Sequence, residues 1–182
     1  HQRVGAGGTK VTASPTTANE AKWLADRGCD AVIAQGYEAG GHRGHFLSDD
    51  LTMQLGTFAL VPQFANAVSV PVIAAGGIAD AAGAAAATAL GADAVQIGTA
   101  YLLCPEATRS GMHRTVLASD AARHTAITNV FTGRPARGIV NRLIREIGPM
   151  SPAAPQFPLA AAAILPLRAK AEAGGRGDFS SL

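Results

Sequence analysis

Four short strand-like segments recur along the first part of the chain, and helical patterns separate them. The strands are predicted over residues 10–14, 30–35, 71–75 and 93–98. The helices are predicted over residues 17–26, capped by Thr16 or Thr17, over residues 57–68, and over residues 80–90, capped by Asp80. Strand and helix alternating in this way imply parallel strands joined by right-handed crossovers.

Two of these strands begin in the same way. Residues 27–33, Arg-Gly-Cys-Asp-Ala-Val-Ile, match residues 90–96, Leu-Gly-Ala-Asp-Ala-Val-Gln. In both, a glycine ends a helix and Asp-Ala-Val starts a strand. A repeated βα unit of this kind is what a barrel requires.

The pattern changes after Ala100. A helix is predicted over residues 105–123, a basic irregular segment over residues 129–138 and a short helix over residues 139–147. Three prolines make residues 151–158 an extended connector, and a last helix is predicted to begin near Pro158 and to end at Ala173.

Composition narrows the class of protein. The 182 residues are 48% apolar and 15% charged, which suits one α/β domain with a core. A net charge of +2 without a basic run gives no argument for nucleic acid, and no apolar run reaches the about 18 residues of a membrane span. We expect a cytoplasmic protein with Cys29 and Cys104 as buried free thiols. No histidine, cysteine or carboxylate cluster has metal spacing, so no metal is predicted.

Candidate chemistry lies where the second strand ends. Residues 35–44, Gln-Gly-Tyr-Glu-Ala-Gly-Gly-His-Arg-Gly, form a glycine-rich turn at the carboxyl end of that strand. Ligands of α/β folds bind at this end of the sheet, and glycine lets the backbone approach them closely. The imidazole of His42 titrates near neutral pH, so His42 is the predicted catalytic residue. His45 is the less favoured alternative, and a structural role for His42 is the competing interpretation.

Two later loops predict a phosphate site. One strand runs into the Gly76–Gly77 turn and a helix start, and the next strand ends in Gly98-Thr99. Successive barrel loops of this kind form a phosphate cradle, with backbone N–H groups near Gly77, Gly98 and Thr99 as donors. Neither loop is a P-loop or a dinucleotide fingerprint. The alternative is that each is only a tight turn between strand and helix.

Residues 35–44, 71–78 and 96–99, followed by Phe-Thr-Gly-Arg-Pro-Ala-Arg-Gly at residues 131–138, resemble the nitronate monooxygenases, formerly called 2-nitropropane dioxygenases. The resemblance implies an α/β fold, a (β/α)8 TIM barrel that binds FMN without a covalent link. It implies that His42 is catalytic. The FMN-binding residues that it implies are Gln35, Gly40, Gly41, Gly76, Gly77, Gln96, Ile97, Gly98 and Thr99.

The resemblance also implies a reaction. An alkyl nitronate, or a nitroalkane whose α-proton His42 removes, is oxidised with O2 to a carbonyl compound and nitrite. The partners implied are the small-molecule nitronate and O2, and a homo-oligomer is compatible with the sequence. One alternative is an NADH-dependent reductase of the same flavin barrel, either an enoyl-acyl-carrier-protein reductase or an NADH:quinone reductase. The other is a non-catalytic fragment that binds flavin or phosphate.

The length of the chain sets a further expectation. A (β/α)8 barrel needs about 250 residues, whereas only four βα units are recognisable. We expect residues 1–104 to be the C-terminal half of the barrel and residues 105–182 to be a helical extension that packs on it within a single domain. Because the first residue is His1 and the chain ends abruptly at Leu182, we expect a piece of a longer polypeptide.

Overall fold

The computed structural model describes residues 8–180, so both chain ends, on which the expectation of a longer polypeptide rests, lie outside the described residues. The described residues form two compact units. The first combines residues 8–39 with Gly44–Thr99, and the second combines Gly40–Arg43 with residues 100–180.

Strands and helices are numbered in chain order. The strands are β1 (Thr12–Ala13), β2 (Ala31–Gln35), β3 (Gly41–His42), β4 (Val72–Ala75), β5 (Ala94–Gln96), β6 (Thr125–Thr128) and β7 (Ala136–Ile139). The helices are α1 (Ala18–Ala25), α2 (Thr57–Ala67), α3 (Ala81–Ala89), α4 (Gly111–Leu117), α5 (Arg142–Ile147) and α6 (Leu159–Ala173). Short 3-10 helices cover Leu51–Met53, Thr99–Leu103 and Asp120–Arg123.

The first unit is built on a parallel sheet with strand order β1-β2-β4-β5, which confirms the four predicted strands, each somewhat shorter than predicted. The predicted caps are also present. Thr17 accepts a hydrogen bond from the N–H of Glu20 at 3.3 Å at the start of α1, and Asp80 accepts one from Gly83 at 2.8 Å at the start of α3. The core is buried between the sheet and its helices, and it consists of Ala21, Cys29, Val32, Ala34, Leu60, Val61, Phe64, Val72, Ala74, Ala87 and Ala92.

The predicted repeat reappears as a repeated set of hydrogen bonds. Asp30 accepts a bond from the N–H of Val11 at 2.8 Å and donates its own N–H to the carbonyl of Val11 at 2.8 Å. Asp93 makes the same two bonds with Val72, each at 2.8 Å. Each aspartate therefore anchors the start of the neighbouring parallel strand, which explains why Asp-Ala-Val recurs in the sequence.

The second unit contains an antiparallel sheet with strand order β3-β7-β6. Its core consists of Val130, Phe131, Leu143, Ile144, Ala171 and Phe179. The last helix, α6, occupies the predicted range, and Pro158 lies at its N-cap position. No helix within the described residues is long and apolar enough to cross a membrane.

Two predictions for the second unit were wrong, and the short helix predicted over residues 139–147 was confirmed except for its start. The helix expected over residues 105–123 is interrupted, because the hydroxyls of Ser110 and Ser119 each cap a separate short helix. The irregular segment expected over residues 129–138 ends in β7, which pairs with the nearby β6 and with β3, a strand distant in sequence. The next helix begins only at Arg142, because Asn141 caps it by accepting from Ile144. The second unit is therefore not purely helical.

The two cysteines are both free thiols, as predicted, but only Cys29 is buried. Cys104 is partly exposed, because it lies at the end of a short 3-10 helix rather than in a strand or a core.

Candidate active site

The carboxyl ends of three neighbouring strands lie level with one another in the first unit. Gln35, the last residue of β2, is paired with Ala75, the last of β4, which is paired with Gln96, the last of β5. The loops that follow therefore start side by side at one edge of the sheet. This register brings together Gln35, the Gly76–Gly77 turn and residues 96–99, all predicted for FMN binding, at the edge where ligands of parallel sheets bind.

The two loops that are predicted to bind phosphate offer backbone donors at this edge. Gly76 and Gly77 have φ angles of +118° and +69°, a conformation that favours glycine. Gly77, Gly98 and Thr99 are exposed, and their N–H groups donate to no other group within the described residues. Backbone N–H groups presented in this way suit a phosphate. Ile97, between Gln96 and Gly98, is half-buried.

A polar cluster formed by Thr57 and Glu38 contacts the Gly76–Gly77 turn through the carbonyl oxygen of Gly76. The Thr57 hydroxyl lies 2.8 Å from the carbonyl oxygen of Gly76 and 3.0 Å from a carboxylate oxygen of Glu38. The same carboxylate oxygen accepts a hydrogen bond from the N–H of Thr57 at 2.9 Å, so Glu38 caps α2. Thr57 is buried. Glu38 therefore has a structural partner, and the cluster ties the loop after β2 to the loop after β4.

The side chain of Gln35 is also held by the protein. Its Oε1 accepts a hydrogen bond from the N–H of Gly44 at 2.8 Å, which fixes the chain where it leaves the glycine-rich turn. Gly44 packs so closely on Ser14 that a side chain there would clash with the Ser14 carbonyl. Gln35, which is also predicted to bind the cofactor, thus anchors the end of the glycine-rich turn.

His42 lies in the second unit, on β3. This two-residue strand pairs with β7, with Gly41 opposite Arg137 and His42 opposite Ala136. The imidazole Nε2 lies 2.9 Å from the hydroxyl oxygen of Thr132. The Phe-Thr-Gly-Arg-Pro-Ala-Arg-Gly signature therefore contacts the predicted catalytic histidine in two ways. The backbone of the signature pairs with β3, and the Thr132 side chain contacts the imidazole.

The surroundings of His42 favour its neutral form. Partial burial lowers the pKa of the imidazole below its usual value, and the positive charge of Arg134 lowers that pKa further. The ring of Phe157 meets the imidazole edge to face, with 6.1 Å between the ring centroids. A neutral imidazole near pH 7 is able to accept a proton, as a general base must.

Gly133 brings the segment that carries Phe157 close to His42. Its φ angle is +86°, and a side chain there would overlap the backbone of Pro155, Gln156 and Phe157. Only glycine permits this approach. Thr132, Gly133 and Phe157 were given no role from sequence, although the first two lie inside the signature, because their contacts join residues far apart along the chain.

The predicted site residues divide between the two units. Gln35, Gly76, Gly77, Gln96, Ile97, Gly98 and Thr99 lie in the first unit, whereas Gly40, Gly41 and His42 lie in the second. His45, the alternative histidine, is buried at 5% exposure, with Nε2 at 3.7 Å from the Asp49 carboxylate. Within residues 8–180, no group of three histidines, cysteines or carboxylates is arranged to hold a metal ion.

Comparison with known proteins shows extensive similarity. A sequence model of the nitronate monooxygenase family matches residues 2–182. A nitronate monooxygenase of Pseudomonas aeruginosa is 44% identical over 175 residues, which cover 96% of this chain and 50% of that protein. The structure of a nitroalkane oxidase from Streptomyces ansochromogenes matches all of this chain and 52% of its own, with 42% identity and a TM-score of 0.90. FabK from Thermotoga maritima matches 97% of this chain and 54% of its own, with 34% identity and a TM-score of 0.75.

These matches and the parallel sheet show that the chain folds as part of a (β/α)8 barrel. The chain spans about half the length of the relatives it matches.

Proposed function

The chain belongs to the nitronate monooxygenase family, and from this premise we propose that it oxidises alkyl nitronates with bound FMN and O2 to a carbonyl compound and nitrite. The observation that carries the proposal is that His42 is fixed in position by its neighbours in the fold. The family signature orients this histidine through strand pairing and through Thr132, and its pKa is lowered, so a neutral imidazole is available near pH 7.

The first unit supports FMN as the cofactor. The residues Gly77, Gly98 and Thr99 are exposed, and their backbone N–H groups suit the phosphate of FMN. The hydroxyl of Thr57 keeps the first of these loops in place. Gln35 and Gln96 end neighbouring strands at the same edge and are proposed to bind the phosphate or the ribityl chain. Gly40, Gly41, Gly76 and Ile97 complete the proposed set. When bound, FMN supplies the electron-accepting and oxygen-reacting chemistry that amino acid side chains lack.

His42 has a different role for each form of the substrate. With a neutral nitroalkane, the imidazole takes the α-proton and leaves the nitronate anion. With a nitronate already formed, no proton has to be removed, and His42 orients the anion by a hydrogen bond. The substrate is thus a small molecule with an acidic carbon next to a nitro group, and O2 is the second reactant.

The experiment compares the two substrate forms. Nitrite release and O2 consumption are measured on the purified holoprotein with ethyl nitronate and with nitroethane, for wild type, for His42→Asn and for His124→Asn. His124 is exposed and serves as the matched control. We expect His42→Asn to lose about 10²–10⁴-fold of the rate with nitroethane and much less with ethyl nitronate. In wild type the rate with nitroethane rises with pH, and the midpoint of this rise lies below the usual pKa of histidine, because the His42 pKa is lowered.

Absence of nitrite from both substrates in wild type would contradict the proposal. If His42→Asn lost the same fraction of the rate with both substrates, His42 would not act as a base and would only orient the substrate.

An NADH-dependent flavin reductase is the second candidate. The match to FabK over 97% of this chain supports this candidate. Both the identity and the TM-score are higher for the nitroalkane oxidase, which favours nitronate oxidation. Oxidation of NADH by the holoprotein without nitrite release from either substrate would favour the reductase.

A further inference from the structure

Arg114 contacts the segment that directly follows the second loop predicted to bind phosphate. That loop ends in Gly98-Thr99, and the 3-10 helix Thr99–Leu103 begins at its last residue. The two terminal nitrogens of the Arg114 guanidinium donate hydrogen bonds to three successive carbonyl oxygens, those of Leu102 at 3.3 Å, Leu103 at 2.6 Å and Cys104 at 2.8 Å. One side chain therefore binds the end of this helix at three points.

Packing alone does not order this 3-10 helix. None of its residues is buried, and Tyr101 and Leu103 are 60% and 42% exposed. Burial of apolar surface therefore contributes little to its stability. The last carbonyl groups of a helix have no partner within it, and here the guanidinium supplies that partner. Hydrogen bonds from a charged donor are stronger than those between neutral groups, so Arg114 fixes a helix that packing leaves exposed.

Arg114 is itself held by its own helix. It lies half-buried on α4, where the hydroxyl of Ser110 caps the helix by accepting from the N–H of His113 at 3.3 Å. The backbone N–H of Arg114 donates to the carbonyl of Ser110 at 3.1 Å. A guanidinium carries five N–H donors in a planar fork, whereas the ammonium group of lysine is a single nitrogen. Lysine at this position would keep the charge and lose the geometry.

We propose that Arg114 is a positioning residue for the cofactor phosphate, because it keeps the backbone N–H groups of Gly98 and Thr99 in place before the phosphate binds. Donors that are already ordered lose less conformational entropy on binding, so the ligand binds more tightly. The inference rests on the proposed function for the identity of the cofactor, FMN. Arg114 acts on the phosphate through the backbone, since its guanidinium is engaged by the three carbonyl groups.

A comparison of FMN with riboflavin separates this role from a general structural one. The two molecules share the flavin ring and the ribityl chain, and only FMN carries the phosphate. Ordered N–H groups at Gly98 and Thr99 therefore favour FMN over riboflavin. Loss of this order lowers the affinity for FMN alone, whereas damage to the fold lowers the affinity for both molecules.

The experiment measures dissociation constants for FMN and for riboflavin by fluorescence titration of the purified full-length protein after removal of its flavin. Wild type is compared with Arg114→Lys and with Arg27→Lys. Arg27 is the matched control, because it also donates to a helix carbonyl, that of Trp23 at 3.2 Å, but precedes β2, whereas the predicted phosphate loops follow β4 and β5.

We expect Arg114→Lys to bind FMN roughly tenfold more weakly than wild type does, the effect of about one hydrogen bond, and to bind riboflavin as wild type does. Arg27→Lys is expected to bind both molecules as wild type does. If Arg114→Lys fails to fold, Arg114→Gln, which keeps an N–H donor on a long side chain, is measured in its place with the same expectation.

An unchanged FMN affinity in the Arg114 variant would overturn the inference, and so would equal losses of affinity for FMN and for riboflavin. A wild type that binds FMN no more tightly than riboflavin would overturn it together with the predicted phosphate site. Nitrite release is measured on the same samples at saturating FMN. A wild type that prefers FMN and releases no nitrite would refute the proposed reaction and leave the role of Arg114 standing.

Discussion

Replacement of Glu20 by glutamine tests how the first unit holds the chain after the glycine-rich turn. The Glu20 side chain is only 1% exposed. One carboxylate oxygen accepts hydrogen bonds from the N–H and the hydroxyl of Thr16 at 2.8 and 2.9 Å. The other accepts from the N–H groups of Phe46 and Leu47 at 2.6 and 3.1 Å. Glu20 thus joins the end of β1 to the segment that follows the glycine-rich turn.

The magnitude follows from counting donors. Glutamine offers one oxygen, and its NH2 group has to face one of the two donor pairs. The Thr16 hydroxyl is able to turn and accept, whereas the N–H groups of Phe46 and Leu47 are not, so the NH2 group turns toward Thr16. The Thr16 N–H is then buried without a partner, and the two remaining bonds lose their charge. We expect the free energy of unfolding to fall by about 3 kcal/mol.

Urea denaturation of wild type, Glu20→Gln and Glu146→Gln at neutral pH measures this loss. Glu146 forms an exposed ion pair with Arg142 at 2.6 Å and is the matched control. An exposed pair contributes about 0–1 kcal/mol, so Glu146→Gln should unfold almost as wild type does. Equal midpoints for the two variants would refute the account of Glu20 as a buried anchor.

The pH dependence has a definite sign. Burial raises the pKa of Glu20, but the hydrogen bonds from Phe46, Thr16 and Leu47 outweigh burial and leave the pKa below its usual value. A lowered pKa in the folded state stabilises the protein at pH values above the unfolded pKa of about 4.3. The difference in stability between wild type and Glu20→Gln is therefore greatest near neutral pH. It shrinks as the pH falls through the folded pKa of Glu20.

Two further substitutions test the site. Thr57→Val removes the hydroxyl that holds the Gly76 carbonyl and should weaken FMN binding roughly tenfold, the effect of about one lost hydrogen bond. Fluorescence titration with FMN measures the affinity. An unchanged affinity would show that the Thr57 hydroxyl does not contribute to FMN binding. Gly133→Ala forces a positive φ and a backbone overlap, so it should cost about 2–5 kcal/mol. Thermal unfolding measures this loss, and a variant as stable as wild type would show that the contact with residues 155–157 is not essential.

The parallel sheet was predictable because its signals are local. Each strand is a short apolar run, α1 and α3 start at a side chain that caps them, and Asp30 and Asp93 mark the repeated strand start. The glycine turn at Gly76–Gly77 was predictable for the same reason, since it directly follows a strand. Local sequence therefore identified the elements that place the proposed cofactor site.

The contacts that fix His42 in position were not predictable in the same way. β3 has two residues and β7 has four, so neither shows the alternation of a longer strand. The contact between His42 and Thr132 joins residues 90 positions apart. A resemblance identified the signature as a whole, but only the fold shows that Thr132 contacts the histidine and that Gly133 admits the segment carrying Phe157.

Anaerobic reduction of the holoprotein is the most direct test of nitronate oxidation with bound FMN. The absorption spectrum is recorded before and after addition of ethyl nitronate to one sample and of NADH to another. The account predicts a yellow protein whose flavin absorbance is bleached by ethyl nitronate and not by NADH. A flavin bleached only by NADH, or a purified protein that neither contains nor takes up FMN, would contradict it.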